Sequence, residues 1–209
     1  MKIKIFTIVT ESYKEIFNEF FINRVPKSFD NISVNYLLND DATPGNVGST
    51  EFKLISFYKM KLIHHSIKSN MGDVILFCDT DIVFLSDFYS DLLGRMTDHD
   101  MLFQDNLYDN GYNLGFFTIK CSEKTLKFWE LIMANYNENH KIDFNEQQVI
   151  NKLIHDTDII HGYLPIEYYC NPLPIDIKNE SRYGYSIENI VDGIPNNAYL
   201  CHCTSVDGG

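Results

Sequence analysis

Asp73-Val-Ile-Leu-Phe-Cys-Asp-Thr-Asp-Ile-Val-Phe84 is the stretch from which the fold is read. Val74 to Cys78 is an unbroken apolar run, the pattern of a strand buried on both faces in the middle of a parallel sheet. It ends in Asp79 and Asp81, two carboxylates one residue apart. On an extended backbone residues i and i+2 point the same way, so both acids are expected to leave the strand on one face. With nothing basic beside them in sequence they repel each other. That cost makes sense if a hard divalent cation, itself bound to phosphate oxygens, sits between them. An acidic turn closing a strand is the plainer reading of D-x-D. Its place at the end of a core strand, after a long helix, favours the metal.

Upstream, Lys2 to Thr10 reads as a first, interior strand. Thr10 or Ser12 can cap a helix running to about Asn23, with Tyr13, Ile16, Phe17 and Phe20 on one face; Pro26 then breaks the chain. Ile32 to Leu38 is a second strand, so the opening is strand–helix–strand and the class is α/β with parallel pairing. After a turn-rich loop, Asn39 to Asn46, Ser49 or Thr50 caps a helix to about Ser69 with Glu51 in its first turn. Leu54, Phe57 or Tyr58, Met60 and Leu62 are its expected buried residues. Lys53 and Lys59 lie near opposite flanks of that helix, so only one of them is expected to face a cleft. His64 and His65 read as surface residues, and Asn70-Met-Gly72 ends the helix.

Downstream, Leu85 to Leu93 is a short helix or turn. Met101 to Phe103 is a short strand running into a polar loop, Gln104-Asp105-Asn106, and Tyr112 to Ile119 is a further strand. Gly115 in its middle costs about 0.5–1 kcal/mol against a residue with a side chain, so it marks a bulge or a close backbone approach. Ser122 caps a helix to about Asn137 carrying Leu126, Trp129, Ile132 and Met133. Asn145 to Ile154 is another helix, with Val149, Ile150, Leu153 and Ile154 buried and Glu146 and Gln147 in the first turn. A carboxylate there either complements the helix N-terminus, worth roughly 0.3–1 kcal/mol, or faces the cleft. From Asp158 the chain is rich in Tyr, Pro and Gly, with short strands such as Leu164 to Tyr169 and a late strand, Ala198 to Thr204, holding His202. Cys201-His202-Cys203 has the wrong spacing for structural zinc, because alternation sends both cysteines away from the histidine. His202 alone is geometrically able to join Asp79 and Asp81.

The 209 residues suit one domain, 1–209, with a nucleotide-binding half over 1–110 and a sugar and acceptor half over 111–209. The abrupt Gly208-Gly209 end also fits a piece cut from a longer chain. A net charge of −12 without a basic patch excludes a nucleic-acid partner. Five scattered cysteines, one of them inside the core strand, indicate a reducing compartment, and a cytoplasmic location is expected. No apolar run approaches a membrane span. A G-x-G-x-x-G, a Walker A, an H-E-x-x-H and a G-x-S-x-G are all missing.

Taken together, Phe6 to Thr10, Phe57 to Leu62, Asp79 to Leu85, Asn113-Leu-Gly-Phe-Phe117, Asn145 to Asn151 and His202 resemble the nucleotide-diphospho-sugar transferases of the GT-A class. The matching features span roughly residues 3 to 204, each weak alone and specific in their order. The resemblance implies a Rossmann-like, mostly parallel central sheet flanked by helices, with a small C-terminal strand and loop region completing the cleft. Its flavour is that of the retaining branch. It is also similar to the amino-terminal transferase domain of a multidomain glycosyltransferase of a large algal virus, a chlorovirus, which implies UDP-rhamnose as donor and a capsid glycan as acceptor. On these residues the resemblance implies that Thr7, Val9 and Thr10, with Tyr13, hold uridine. Asp79 would meet ribose or the metal, with Thr80 beside it. Asp81 and His202 would be metal ligands. Asn113 and Gly115 would frame the sugar, and Lys53 or Lys59 would neutralise phosphate. Glu146, or Gln147, stands where relatives often carry Asp, which leaves the role of that position open.

The chemistry fits these residue types. A cation held by two carboxylates offsets the charge of a nucleoside diphosphate leaving group, letting a protein of this acidity accept a polyanion. Oxygen ligands favour Mg²⁺ or Mn²⁺, and an imidazole tilts the choice to Mn²⁺. Inversion would need a general base, for which Asp105, Glu146 and Asp109 are candidates. In retention the departing phosphate takes the acceptor proton, and the resemblance favours it. The donor is thus expected to be a UDP-sugar, UDP-glucose-like or UDP-rhamnose, and the acceptor a glycan or glycoprotein. Two other readings stand beside this one: a sugar-phosphate nucleotidyltransferase, and a non-catalytic module binding a UDP-sugar or glycan.

Overall fold

The first strand, β1 (Ile3–Thr10), buries Ile3, Ile5, Thr7 and Val9 on one face and turns Lys4, Phe6 and Ile8 to the other. The computed structural model describes residues 1–37, 50–106, 111–139, 145–170, 190–191 and 194–203. The 39–46 loop, the Ser49 cap, Asp109 and most of the Tyr-, Pro- and Gly-rich segment after Cys170 lie outside those residues, as does Thr204.

After β1 the chain makes a 3-10 turn (Glu11–Tyr13), a short α1 (Lys14–Ile16) and a π-helical segment (Phe17–Ile22). Thr10 stands at the N-terminus without a capping hydrogen bond from its side chain; its hydroxyl lies 3.1 Å from that of Ser12. The wider π turn shifts the buried face from a regular helical spacing, so Phe17 and Phe21 are buried while Phe20 is exposed. Strand β2 (Ile32–Leu37) follows, then α2 (Thr50–Ser69), β3 (Val74–Cys78), β4 (Ile82–Phe84), α3 (Tyr89–Arg95), β5 (Met101–Asn106) and β6 (Gly111–Lys120). Next come α4 (Glu123–Asn139), α5 (Glu146–Leu153), β7 (His161–Tyr163), β8 (Tyr168–Cys170), β9 (Ile190–Val191), β10 (Ile194–Pro195) and β11 (Leu200–His202). The span from Leu164 to Tyr169 is therefore a turn leading into β8 and not one strand.

Six strands form the central sheet in the order β2-β1-β3-β6-β5-β7, and β4-β11-β8 form a smaller one. The large sheet is mostly parallel, as expected of the class. Strand β6 runs antiparallel to both neighbours, so β3 is parallel only to β1. Every residue of β3 is buried.

One side of the sheet is covered by α2, α4 and α5. Met60, Ile63 and Ile67, at helical spacing on α2, pack with Phe77, Phe117, Trp129 and Ile150. Full burial of such side chains stabilises by about 1.5–3 kcal/mol each. The Trp129 indole also donates to the Met60 carbonyl at 2.9 Å, locking α4 onto α2. Leu54 faces solvent, a turn away from this stripe, and so does Tyr58. On the other side Phe17, Phe21, Phe29, Phe84 and Phe88 pack against Ile5, Val9 and Leu76. Gly72, at φ +88°, makes the tight turn that brings α2 back into β3. Ser122 caps α4, its Oγ accepting from Thr125 N–H at 3.2 Å, and a reciprocal Asn145–Gln148 capping box opens α5. No helix among the described residues is long and apolar enough to cross a membrane.

Candidate active site

The two carboxylates leave the sheet on a turn, not on an extended strand: β3 stops at Cys78 and β4 starts at Ile82. Their convergence therefore comes from the anchoring of that turn. On one side Asp79 N–H donates to the Gly115 carbonyl at 2.7 Å. On the other, Cys203 N–H donates to the Asp81 carbonyl at 3.0 Å, where β11 pairs His202 with Ile82. Asp79, Asp81 and His202 each offer a ligand atom, and these atoms lie within 4.8 Å of one another.

Strand β6 is shaped for this meeting. Phe103 faces Phe117 while Gln104 faces Asn113, which leaves Leu114, Gly115 and Phe116 without a partner on β5. Side chains take over the freed backbone donors: Gln147 Oε1 accepts from Leu114 N–H at 3.2 Å, and Asn113 Oδ1 accepts from Gly115 N–H at 2.7 Å. The bulge carries Gly115 against the site. A Cβ at Gly115 would overlap His202 Cε1 and stand 2.7 Å from its Nε2 and 2.8 Å from Asp79 Oδ2.

Charge around the carboxylates differs from the sequence expectation of nothing basic beside them. Lys59 Nζ lies 3.3 Å from Asp79 Oδ1 and 3.8 Å from Glu146 Oε1, over the Phe77 ring at 4.4 Å. Lys59 and Glu146 are both 6% exposed. Lys59 thus meets the acids, and the Lys53 carbonyl accepts the Tyr136 hydroxyl at 3.3 Å. His202 Nε2 is 3.3 Å from Asp81 Oδ1. Burial works to lower the His202 pKa, but the Asp81 carboxylate outweighs it and holds the imidazole well above its ordinary value. Asp81 is desolvated too, yet His202 brings it below the ordinary carboxylate value. Asp79 is raised, first by burial and then by Asp81, against the pull of Lys59.

At this site the buried carboxylate oxygens Asp81 Oδ1, despite its nearness to His202, and Glu146 Oε2 lack hydrogen-bond partners. An unsatisfied buried acceptor is costly, so Asp81 Oδ1 fits a cation ligand. Two carboxylates and one imidazole form a hard, mixed oxygen and nitrogen set suited to Mn²⁺ or Mg²⁺.

The remaining expected residues distribute as follows. Tyr13 is half-buried, and its phenol is raised by burial and then by the charges of Asp81 and Asp79. Thr10 and Thr80 are buried, and Thr7 keeps a buried Oγ1 without a partner. Val9 packs in the apolar core. Asp105 is buried inside β5, beside Leu164, Pro165 and Cys170, and not in an exposed loop.

Gln104, also expected in that loop, is 1% exposed and touches the site directly. Its Oε1 is 2.7 Å from His202 Nδ1. The only sequence signal for it was a polar pair continuing an apolar strand.

A family model described as nucleotide-diphospho-sugar transferase matches residues 24–190. Among solved structures, the chain is similar to a glycosyltransferase involved in glycosylation of the major capsid of PBCV-1, at 11% identity and TM-score 0.63, over 98% of this chain and 94% of that one. It is similar also to mouse xyloside xylosyltransferase 1, at 8% identity and TM-score 0.60, with 98% of both chains covered. Against the glycosyltransferase GlyE of Streptococcus pneumoniae the values are 12% and 0.64, over 99% of this chain but 55% of the longer one. At such identities the likeness speaks for the fold. No curated protein matches the chain in sequence.

Proposed function

The chain belongs to the nucleotide-diphospho-sugar transferase family and is a glycosyltransferase, and from that premise we propose that it moves a sugar from a UDP-sugar to a hydroxyl of a glycan or glycoprotein acceptor, with Mn²⁺ and with retention. The observation that carries the metal is the meeting of Asp79, Asp81 and His202 around a buried carboxylate oxygen that has no hydrogen bond. Asp79 Oδ2, Asp81 Oδ1 and His202 Nε2 are the atoms that would hold the ion. When bound, it supplies positive charge against the diphosphate leaving group.

The chain's own residues do the rest. Thr10 and Tyr13, at the end of β1 that also carries Thr7 and Val9, would meet the uridine, and Thr80 lies between the two acids. Lys59 holds Asp79 and Glu146 in place through its ion pairs, and from there its charge reaches toward the diphosphate. Asn113 and Gly115 border the donor sugar, with Glu146, Gln147 and Asp105 around the same floor. Residues 1–110 serve the nucleotide and 111–209 the sugar and acceptor, the metal set drawing on both halves. In transfer the bond from the anomeric carbon to the β-phosphate oxygen breaks. The acceptor oxygen bonds to that carbon from the same face, and its proton passes to the departing phosphate.

Titrating UDP into the protein by calorimetry, with Mn²⁺ and with EDTA, tests this reading. Metal-dependent UDP binding is expected. Equal binding in both, or none in either, contradicts it.

A further inference from the structure

We infer that Gln104 is a positioning residue that sets the tautomer of His202 and presents its Nε2 to the cation, an inference that rests on the metal reading above. The argument starts from a group that cannot change its role. The Tyr168 backbone carbonyl has no proton to give, and Gln104 Nε2 lies 2.9 Å from it in the buried interior. The Gln104 amide must therefore point its NH₂ at Tyr168, which turns its oxygen to His202. Flipping the amide would set two acceptors face to face. With Gln104 Oε1 at 2.7 Å, His202 Nδ1 has to carry a proton, since a lone pair there would face another.

The unprotonated position of a neutral His202 is then Nε2, the nitrogen on the side of Asp81 and Gly115. A carbonyl on β8 thus determines, through one amide, which imidazole nitrogen is free to bind a metal. Metal-binding histidines depend on this kind of support for orientation and basicity. The Cys170 thiol also lies 3.9 Å from Nδ1, and Asn113 Nδ2 lies 3.7 Å from that sulfur. A thiol is the weaker partner at the longer distance, so Gln104 dominates. The register shift after Phe103 is what aims Gln104 inward from a strand whose preceding residues are all apolar.

The test measures Mn²⁺ affinity in the presence of UDP, by the EPR signal of free Mn²⁺, for wild type, Gln104→Met, His202→Ala and the double variant. Gln104→Met is expected to weaken Mn²⁺ binding about 10- to 100-fold, the range for lost support of a metal ligand. In the His202→Ala background the same change is expected to cost nothing further, which a merely structural role would not produce. Equal affinity of Gln104→Met and wild type overturns the role of Gln104 and leaves the metal site standing, as does a full additional loss in the double variant. A wild type that binds no Mn²⁺ overturns both. A measurement on the unaltered protein covers a Gln104→Met that fails to fold. With diamagnetic Cd²⁺ bound, ring ¹⁵N NMR is expected to show His202 with Nδ1 protonated and Nε2 on the metal, assigned by its loss in His202→Ala. Ligation through Nδ1 overturns the inference.

Discussion

His202 occupies the space that a side chain on Gly115 would need: a Cβ there would overlap the ring at Cε1 and stand 2.7 Å from Nε2. The glycine is thus required by a neighbour from a strand nearly ninety positions later in sequence, and not by its own backbone angles. Gly115→Ala is expected to displace His202, lower Mn²⁺ affinity and destabilise the fold by about 1–3 kcal/mol, the usual range for overpacking. Urea unfolding together with a Mn²⁺ titration checks both effects. Unchanged metal affinity would show that the ring moves aside freely.

Lys59 neutralises two acids from a position that is 6% exposed. Lys59→Met leaves the buried Glu146 without its counter-charge and should cost about 3 kcal/mol of stability. Adding Glu146→Gln should recover most of that loss, because the stranded charge disappears. Chemical denaturation of the single and double variants measures it. A double variant as unstable as the single one would assign the loss to packing over Phe77.

Stability without metal should depend on pH through the His202–Asp81 contact. The His202 value is raised above its ordinary 6.5, so its contribution is complete below 6.5 and is lost as pH rises through the raised value. The Asp81 value is lowered from 3.8, so its contribution is present above 3.8 and is lost as pH falls through the lowered value. Unfolding in EDTA is therefore expected to be hardest between these limits and easier on the alkaline side. Mn²⁺ affinity should rise over that same alkaline range, because the cation takes the place of the Nε2 proton. An alkaline limb that survives in His202→Ala would contradict the assignment.

The parts of the fold that were legible in the sequence are those written in local pattern. Val74 to Cys78 is apolar at every position, and the structure buries each one. Gly115 was marked by its cost within a strand, and α5 by the spacing of its apolar residues, of which Val149 and Ile150 are buried. What stayed hidden depends on contacts between distant segments. The antiparallel run of β6 leaves no trace in a hydrophobic pattern that reads the same in either direction. Gln104 and Asp105 read as a polar loop because the bulge that buries them is a property of two strands together. Lys59 looked interchangeable with Lys53 until the helix was set against β3, and Leu54 was misplaced by one face of that helix.

The most direct test of the account is UDP release from UDP-glucose, UDP-galactose, UDP-xylose and UDP-rhamnose, with Mn²⁺ and with EDTA, by wild type and Asp81→Ala. Wild type should release UDP from one donor with Mn²⁺ and fall to background in EDTA. Asp81→Ala should stay at background in both while melting like the wild type. Turnover that persists in EDTA, or in Asp81→Ala at near the wild-type rate, would contradict a transfer that depends on this metal site.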